Sequence, residues 1–433
     1  MTKSKRLRKM RGVKIKTVFI RRKHKMKSWK KVALGGASVL AVATLAACGN
    51  SASSSKSTSS SSAKLSGTVR LYVDTQQKPA FQSVVDGFTK ANPDVKVQVI
   101  ANASGSANAK TDIAKDPSKY ADVFAVPNDQ LGDMADKGYI NQIAPKYAKE
   151  AKSNDSETAY NGMEYKGKLY AMPMEIQAQT LFYNKSKLSA DDVKTWDGLT
   201  AKGVVATDFT NAYNFYPVFF SAGTTLYGKT GEDLSDKSVA SDNGVTAMKW
   251  FAAQKANKGV MQTSNALNQL QSGKAAAILD GPWDTANIKK ILGSNYAVAP
   301  YPTITLDGQQ KQMQAFLGIH GFAVNSHAKD QAASQALAAY ITDESAQLTL
   351  FKSQGLVPAN TKAQANSDVQ NDAETQAVIT MSKDGYSTLM PKLSQMATFW
   401  NDAAPLINGA YTGSIPASQY SAKLSTFADA ITK

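Results

Sequence analysis

Residues 69–99 read VRLYVDTQQKPAFQSVVDGFTKANPDVKVQV. Val69, Leu71 and Val73 alternate with Arg70 and Tyr72, the period of two that turns one face of a strand toward a core. Phe81, Val84, Val85 and Phe88 then fall at i, i+3, i+4 and i+7, one face of a helix. Asn92-Pro93 ends that helix, because proline disfavours helical backbone in the residue before it. Val95, Val97 and Val99 restore the alternation. Strand, helix, strand in this order predicts an α/β unit with a parallel sheet.

Toward the C-terminus, the apolar run 121–126 suits a strand buried on both faces, 274–279 a strand ending at Gly281-Pro282, and 332–341 a helix. Leu424, Phe427, Ala428 and Ile431 mark a last amphipathic helix, and no solenoid-type repeat recurs. The stretch 66–433 is too long for one typical domain, so two lobes are expected.

Toward the N-terminus, residues 51–63 are almost all serine, a composition that cannot bury apolar surface and reads as a tether. The roughly 16 residues before the first strand would reach about 20 to 25 Å root-mean-square. Before the tether stands Cys48, the only cysteine of the chain, at the end of Leu45-Ala46-Ala47-Cys48 and behind an apolar run from Val32. The first 31 residues carry 15 Lys and Arg and no acid, so basic region, apolar region, small residues and cysteine follow in the order of an export signal with a lipobox. The run is broken by Gly35, Gly36 and Ser38 and falls short of the roughly 20 apolar residues of a membrane span. Cleavage before Cys48 and lipid attachment to it are expected, and either Met1 or Met26 serves as initiator.

Without that signal the balance of 50 basic to 34 acidic residues becomes 35 to 34, so the net charge of +16 belongs to the leader. It gives no support to nucleic-acid binding, which needs a basic patch on the folded part. One cysteine excludes intrachain disulfides, CxxC redox motifs and cysteine-ligated zinc or iron–sulfur sites. His320 and His327 form no metal signature and read as surface or loop histidines. No metal and no cofactor is expected.

No GxSxG elbow, Walker loop, HExxH or strand-borne GxGxxG is present. Paired carboxylates for glycoside hydrolysis remain open on spacing alone. The aromatics say more: sugar rings stack C–H-rich faces on Trp and Tyr, and planar polar side chains read their hydroxyl rims. Trp283 follows Gly281-Pro282 at a strand end, where α/β sheets hold ligands, and Trp400 lies in Met396-Ala397-Thr398-Phe399-Trp400-Asn401-Asp402. Asp280, before Gly281, is a further candidate.

Several segments occur together: Ala121-Asp122-Val123-Phe124, Asn128-Asp129-Gln130-Leu131-Gly132 and Lys137-Gly138-Tyr139-Ile140; Tyr165-Lys166-Gly167-Lys168-Leu169-Tyr170-Ala171-Met172-Pro173 and Phe182-Tyr183-Asn184-Lys185; Lys194-Thr195-Trp196-Asp197 and Tyr213-Asn214-Phe215-Tyr216-Pro217; Gly273-Lys274-Ala275-Ala276 through Gly281-Pro282-Trp283; and Met390-Pro391 through Gln395-Met396 to Phe399-Trp400. In these, across residues 67–433, the chain resembles the extracellular solute-binding proteins of carbohydrate ABC importers, most closely the maltose/maltodextrin-binding proteins.

The resemblance implies an α/β fold of two lobes, periplasmic-binding-protein-like, joined by crossing hinge segments near 175–178, 317–322 and 366–369, with the ligand in the cleft between them. Residues 1–47 would be signal and 48–65 anchor and tether. The first lobe would comprise 66–176 and 322–367, the second 177–321 and 368–433. By position it implies Asp129 as a partner of sugar hydroxyls, and Tyr213, Trp283 and Trp400 as stacking faces. The loop from Asp74 to Lys78 would contribute too. Departures are Gln130 in place of Arg, Gln177 in place of Glu, Val126 at or near a Trp position, and Thr285 where a second Trp follows. The resemblance further implies a monomeric, lipid-anchored protein on the outer face of the cell membrane that delivers maltodextrin to a permease. The alternatives are a binder of another sugar or small solute and a surface-anchored glycoside hydrolase.

Overall fold

The structure, a computed structural model, describes residues 64–433. Cys48, its lipobox and residues 51–63 of the tether lie outside the described residues.

The opening unit forms as its periodicity dictates. Strand Gly67–Asp74 buries Val69, Leu71 and Val73, and pairs in parallel with strand Val95–Asn102, with Val69 opposite Val97 and Leu71 opposite Val99. Helix Lys78–Ala91 carries Pro79 in its first turn, where the fixed φ and missing N–H of proline are suited. It buries Phe81, Val84, Val85 and Phe88, and Asn92 closes it with backbone and side-chain bonds to the Phe88 carbonyl. Phe81 meets Phe322 edge-to-face at 5.1 Å, which locks the helix to the sheet; truncating such a ring costs about 3 to 5 kcal/mol.

Around this unit grows the larger sheet, in the order Ser387–Leu389, Ala315–Val324, Val123–Pro127, Gly67–Asp74, Val95–Asn102, with Ala171–Ala178 also paired to Ala315–Val324. Every residue of Val123–Pro127 is buried, as expected of a strand covered on both sides. A smaller sheet runs Tyr296–Ala299, Thr180–Asn184, Ala277–Asp280, Val205–Thr207, Val260–Gln262. Helix Met396–Thr412 packs beside helix Asp242–Gln254 and the last helix, Tyr420–Ile431, which buries Leu424, Phe427, Ala428 and Ile431.

One residue, Gln179, separates strand Ala171–Ala178 of the larger sheet from strand Thr180–Asn184 of the smaller. Its amide donates to Asn214 Oδ1 and accepts from the Tyr301 hydroxyl, both at 2.9 Å. Residues 177–178 and 315–321, expected with the second lobe, continue strands of the larger sheet, and Ser387–Leu389 adds to that sheet as well. Backbone pairing carries these strands past the points where the sequence landmarks divide.

Candidate functional site

Strand Ala277–Asp280 ends on Gly281, and Pro282 opens a tight turn, Pro282–Asp284, before helix Thr285–Leu292. The Trp283 ring folds back over Gly281: a β-carbon there would stand 2.2 Å from the ring atoms. Only glycine permits that approach, which gives the Gly-Pro-Trp sequence a steric reason. Trp283 remains 39% exposed, unusual for a ring of this size. Tyr213 lies on the short helix Ala212–Phe215, whose N-cap Asn211 accepts the Tyr213 N–H at 3.0 Å. Trp400, on helix Met396–Thr412, is wedged against Phe399 and Phe316, and Tyr213 stacks on Phe316 at 5.9 Å. Tyr213 stands 6.2 Å from Trp283 and 6.3 Å from Trp400, so three aromatic faces converge.

Asp129 reaches the same place from the turn Asn128–Gln130 after strand Val123–Pro127. Its Oδ2 accepts the Trp400 Nε1–H at 3.1 Å, a bond from the turn after a strand of the larger sheet to helix Met396–Thr412. Burial raises the Asp129 carboxyl above its ordinary range, and the Trp400 bond opposes that rise. The neighbouring Asn128, fully buried, holds the turn in place by donating to Met390 O at 2.7 Å and accepting the Ile319 N–H at 3.0 Å.

Asp129, Gln130, Gln177, Tyr213, Trp283 and Trp400 line one cavity of about 400 Å³, with Lys110 and His320 beside them. Trp283 also borders a cavity of about 250 Å³ toward Asp74, Gln76, Gln77 and Glu175, and another of about 390 Å³ toward Asn214 and Asp280. These spaces form a cleft with Trp283 at its middle.

Three expected residues, Lys78, Asp74 and Gln130, play other parts. Lys78 is exposed at the head of its helix and lines none of these cavities. Asp74 borders the cleft, but its two oxygens accept the Ser106 N–H at 2.6 Å and the Ser106 hydroxyl at 2.8 Å, fastening the loop after strand Val95–Asn102. Gln130 is tied down in the same way: it accepts the Lys110 N–H at 2.9 Å and donates to Ala107 O at 2.5 Å. Val126 is buried in the larger sheet opposite Gly321 and presents no face to the cleft. Thr285 is buried too, its hydroxyl bonded to the Glu374 carboxyl, which links the Trp283 segment to helix Ala373–Met381.

The structure adds Glu175 and His320. Glu175 is fully buried, with Oε1 accepting from the Gln177 amide at 3.0 Å and Oε2 without a protein partner. Burial pushes its carboxyl up to about 8. His320 sits opposite Glu175 across paired strands and is no loop residue; burial holds its ring down to about 4, so it is neutral at pH 7. The period of two from Gln177 could have pointed to Glu175, whereas His320 has no local signal. At the far end, burial takes Asp280 to about 7. Among the described residues no group of three or more His, Cys, Asp or Glu is placed to hold a metal. The cleft therefore offers stacking faces and hydroxyl-reading groups.

The family of bacterial extracellular solute-binding proteins matches residues 83–377. A maltooligosaccharide ABC transporter solute-binding lipoprotein of Streptococcus pneumoniae serotype 4 is 29% identical over 416 residues, covering 89% of this chain and 93% of the relative. The maltodextrin-binding protein MdxE of Bacillus subtilis is 28% identical over 407 residues, with the same coverage, 89% and 93%. Among solved structures, the maltodextrin-binding protein MalE1 of L. casei BL23 without ligand superposes with a TM-score of 0.82 at 64% identity, covering 85% of this chain and 100% of that one.

Proposed function

The chain belongs to the bacterial extracellular solute-binding proteins, and from that premise we propose that it captures maltooligosaccharides outside the cell and delivers them to the membrane permease of an ABC importer. It is a binding protein and not an enzyme. The observation that carries the sugar reading is the convergence of Tyr213, Trp283 and Trp400 on one cavity with the Asp129 carboxylate at its edge. Flat aromatic faces take the apolar face of a glucose ring, and carboxylate and amide groups take its hydroxyls. A sugar that touches groups from both lobes favours the closed arrangement by the contacts it makes only there. Isothermal titration against maltose, maltotriose, maltotetraose and a panel of galactosides tests this. Saturable binding confined to the α-glucans is expected; binding confined to galactosides would reassign the ligand, and no binding to any sugar would discard the reading.

Longer chains should bind more tightly than maltose. Gln130 is occupied by backbone groups and Val126 and Thr285 are withdrawn from the cleft, so fixed contacts to a single disaccharide are few. Cavities on both sides of Trp283 offer further rings somewhere to lie. Each added stacked ring is worth about 1 kcal/mol, roughly fivefold in affinity. Maltose binding at least as tightly as maltotriose in the same titration series would reject this.

The protein is further read as a monomer on the outer face of the membrane, held there through lipid on Cys48 and the serine-rich tether. Its lobes are read as 66–176 with 322–367 and 177–321 with 368–433, the strand residues 177–178 and 315–321 being shared with the larger sheet. A single acyl chain anchors weakly, so stable retention implies more than one chain. Cys48→Ser should abolish incorporation of radioactive fatty acid, and continued labelling would exclude this cysteine as the anchor.

A further inference from the structure

Tyr301 follows strand Tyr296–Ala299 and is 3% exposed. Its hydroxyl has one hydrogen-bond partner among the described residues, the Gln179 side chain at 2.9 Å. A phenol buried in this way donates to that partner, because turning round would leave its proton unbonded, which costs more than an idle lone pair. Gln179, also 3% exposed, therefore presents Oε1 to Tyr301 and Nε2 to Asn214. Asn214 answers with Oδ1, since two N–H groups cannot bond each other. The direction of every proton in this series is set from its buried end. At the other end stands the Asn214 Nδ2, which has no partner among the described residues and keeps accessible surface. Asn214 is half-buried and lines the cavity of about 390 Å³ together with Tyr213 and Trp283.

We propose that Asn214 donates a hydrogen bond from Nδ2 to a hydroxyl oxygen of the bound sugar, and that Gln179 and Tyr301 are positioning residues that hold its amide in the donating orientation. The assignment rests on the maltooligosaccharide reading above. An unrestrained carboxamide turns either its N–H or its C=O outward, and fixing one of them when a ligand arrives costs rotamer freedom. Asn265 and Asn268, on the same wall, are exposed and carry that cost. Asn214 has the ordering built in through Oδ1. Its neighbour Tyr213 supplies a ring face, so the one turn of helix Ala212–Phe215 offers a sugar both a stacking surface and an oriented donor. Gln179 is also the single residue between a strand of the larger sheet and a strand of the smaller, which ties the orientation of the donor to the crossing segment.

Isothermal titration of the whole protein with maltotriose tests the assignment. Asn214→Asp keeps an oxygen for the Gln179 amide and replaces the outward N–H by an acceptor, so affinity should fall about tenfold. Gln179→Met keeps the length of the side chain but releases the Asn214 amide, and should weaken binding about threefold. In an Asn214→Ala background, which has no amide to orient, Gln179→Met should change nothing, whereas a residue that merely supports the fold would impose the same loss in both backgrounds. Wild-type affinity in Asn214→Asp would overturn the assignment of Asn214, and an undiminished effect of Gln179→Met in the Asn214→Ala background would overturn the positioning role. A wild-type protein that binds no maltodextrin would instead discard the sugar reading itself, and this assignment with it. Should Asn214→Asp fail to fold, NMR of the wild type with isotope-labelled asparagine decides the matter: maltotriose must shift the Asn214 side-chain amide, and an unmoved signal refutes the contact.

Discussion

Trp283→Ala should lower the affinity for maltotriose roughly five- to more than a hundredfold, the range set by about 1 to 3 kcal/mol for a lost aromatic face. Trp283 borders all three cavities of the cleft, so wherever a chain of glucose units lies it must pass this ring. Because the ring is 39% exposed and rests on Gly281, removing it takes little from the core, and the urea midpoint should scarcely move. Trp196 shows the contrast: it is 1% exposed, and its Nε1 donates to Gln254 Oε1 at 2.8 Å. Its truncation would cost about 3 to 5 kcal/mol of stability and say nothing of sugar. Trp400→Ala should resemble Trp283→Ala in affinity, with an added loss from leaving Asp129 Oδ2 without its donor. Titration of folded variants showing wild-type affinity in both cases would remove the aromatic cluster from the site.

The parts of the molecule legible in the sequence are those governed by local periodicity. Alternation at Val69, Leu71 and Val73 and the i, i+3, i+4, i+7 set at Phe81 to Phe88 specify strand and helix, and the last helix buries the four residues its pattern names. Trp283 is legible because its signal is also local: glycine for the approach and proline to turn the chain. Hydrogen bonds between distant segments are not legible. Whether Gln130 faces a ligand or a backbone is decided by Ala107 and Lys110, and Asp74 by Ser106, residues that reach them only through the fold. Glu175 and His320 become neighbours by strand pairing between Ala171–Ala178 and Ala315–Val324, a register no composition reveals. Lys78 fails for the opposite reason, its surroundings being solvent.

Stability should fall as pH rises from about 5 to about 8, and the buried acids give the sign. Burial, the largest influence in each case, raises Glu175 and Glu374 to about 8 and Asp280 and Asp155 to about 7. For each, the native state keeps a proton that the unfolded chain has released between its ordinary range and the raised value. The unfolded state then binds fewer protons, so the stability contributed by each group is complete below its ordinary value and is lost as pH climbs through 7 to 8. His320 acts oppositely: its native value of about 4 lies below its ordinary one, so its contribution is gained as pH rises toward neutrality. Four carboxyls outweigh one imidazole, and a difference of one proton is worth about 1.4 kcal/mol per pH unit. Glu175→Gln isolates the largest share, because the amide keeps an acceptor for Gln177 and carries no titratable proton. In urea titrations the variant should match the wild type near pH 5 and exceed it near pH 8 by ~2 to 4 kcal/mol. Wild-type stability that rises over this range, or a Glu175→Gln difference independent of pH, would contradict a Glu175 carboxyl held protonated by burial.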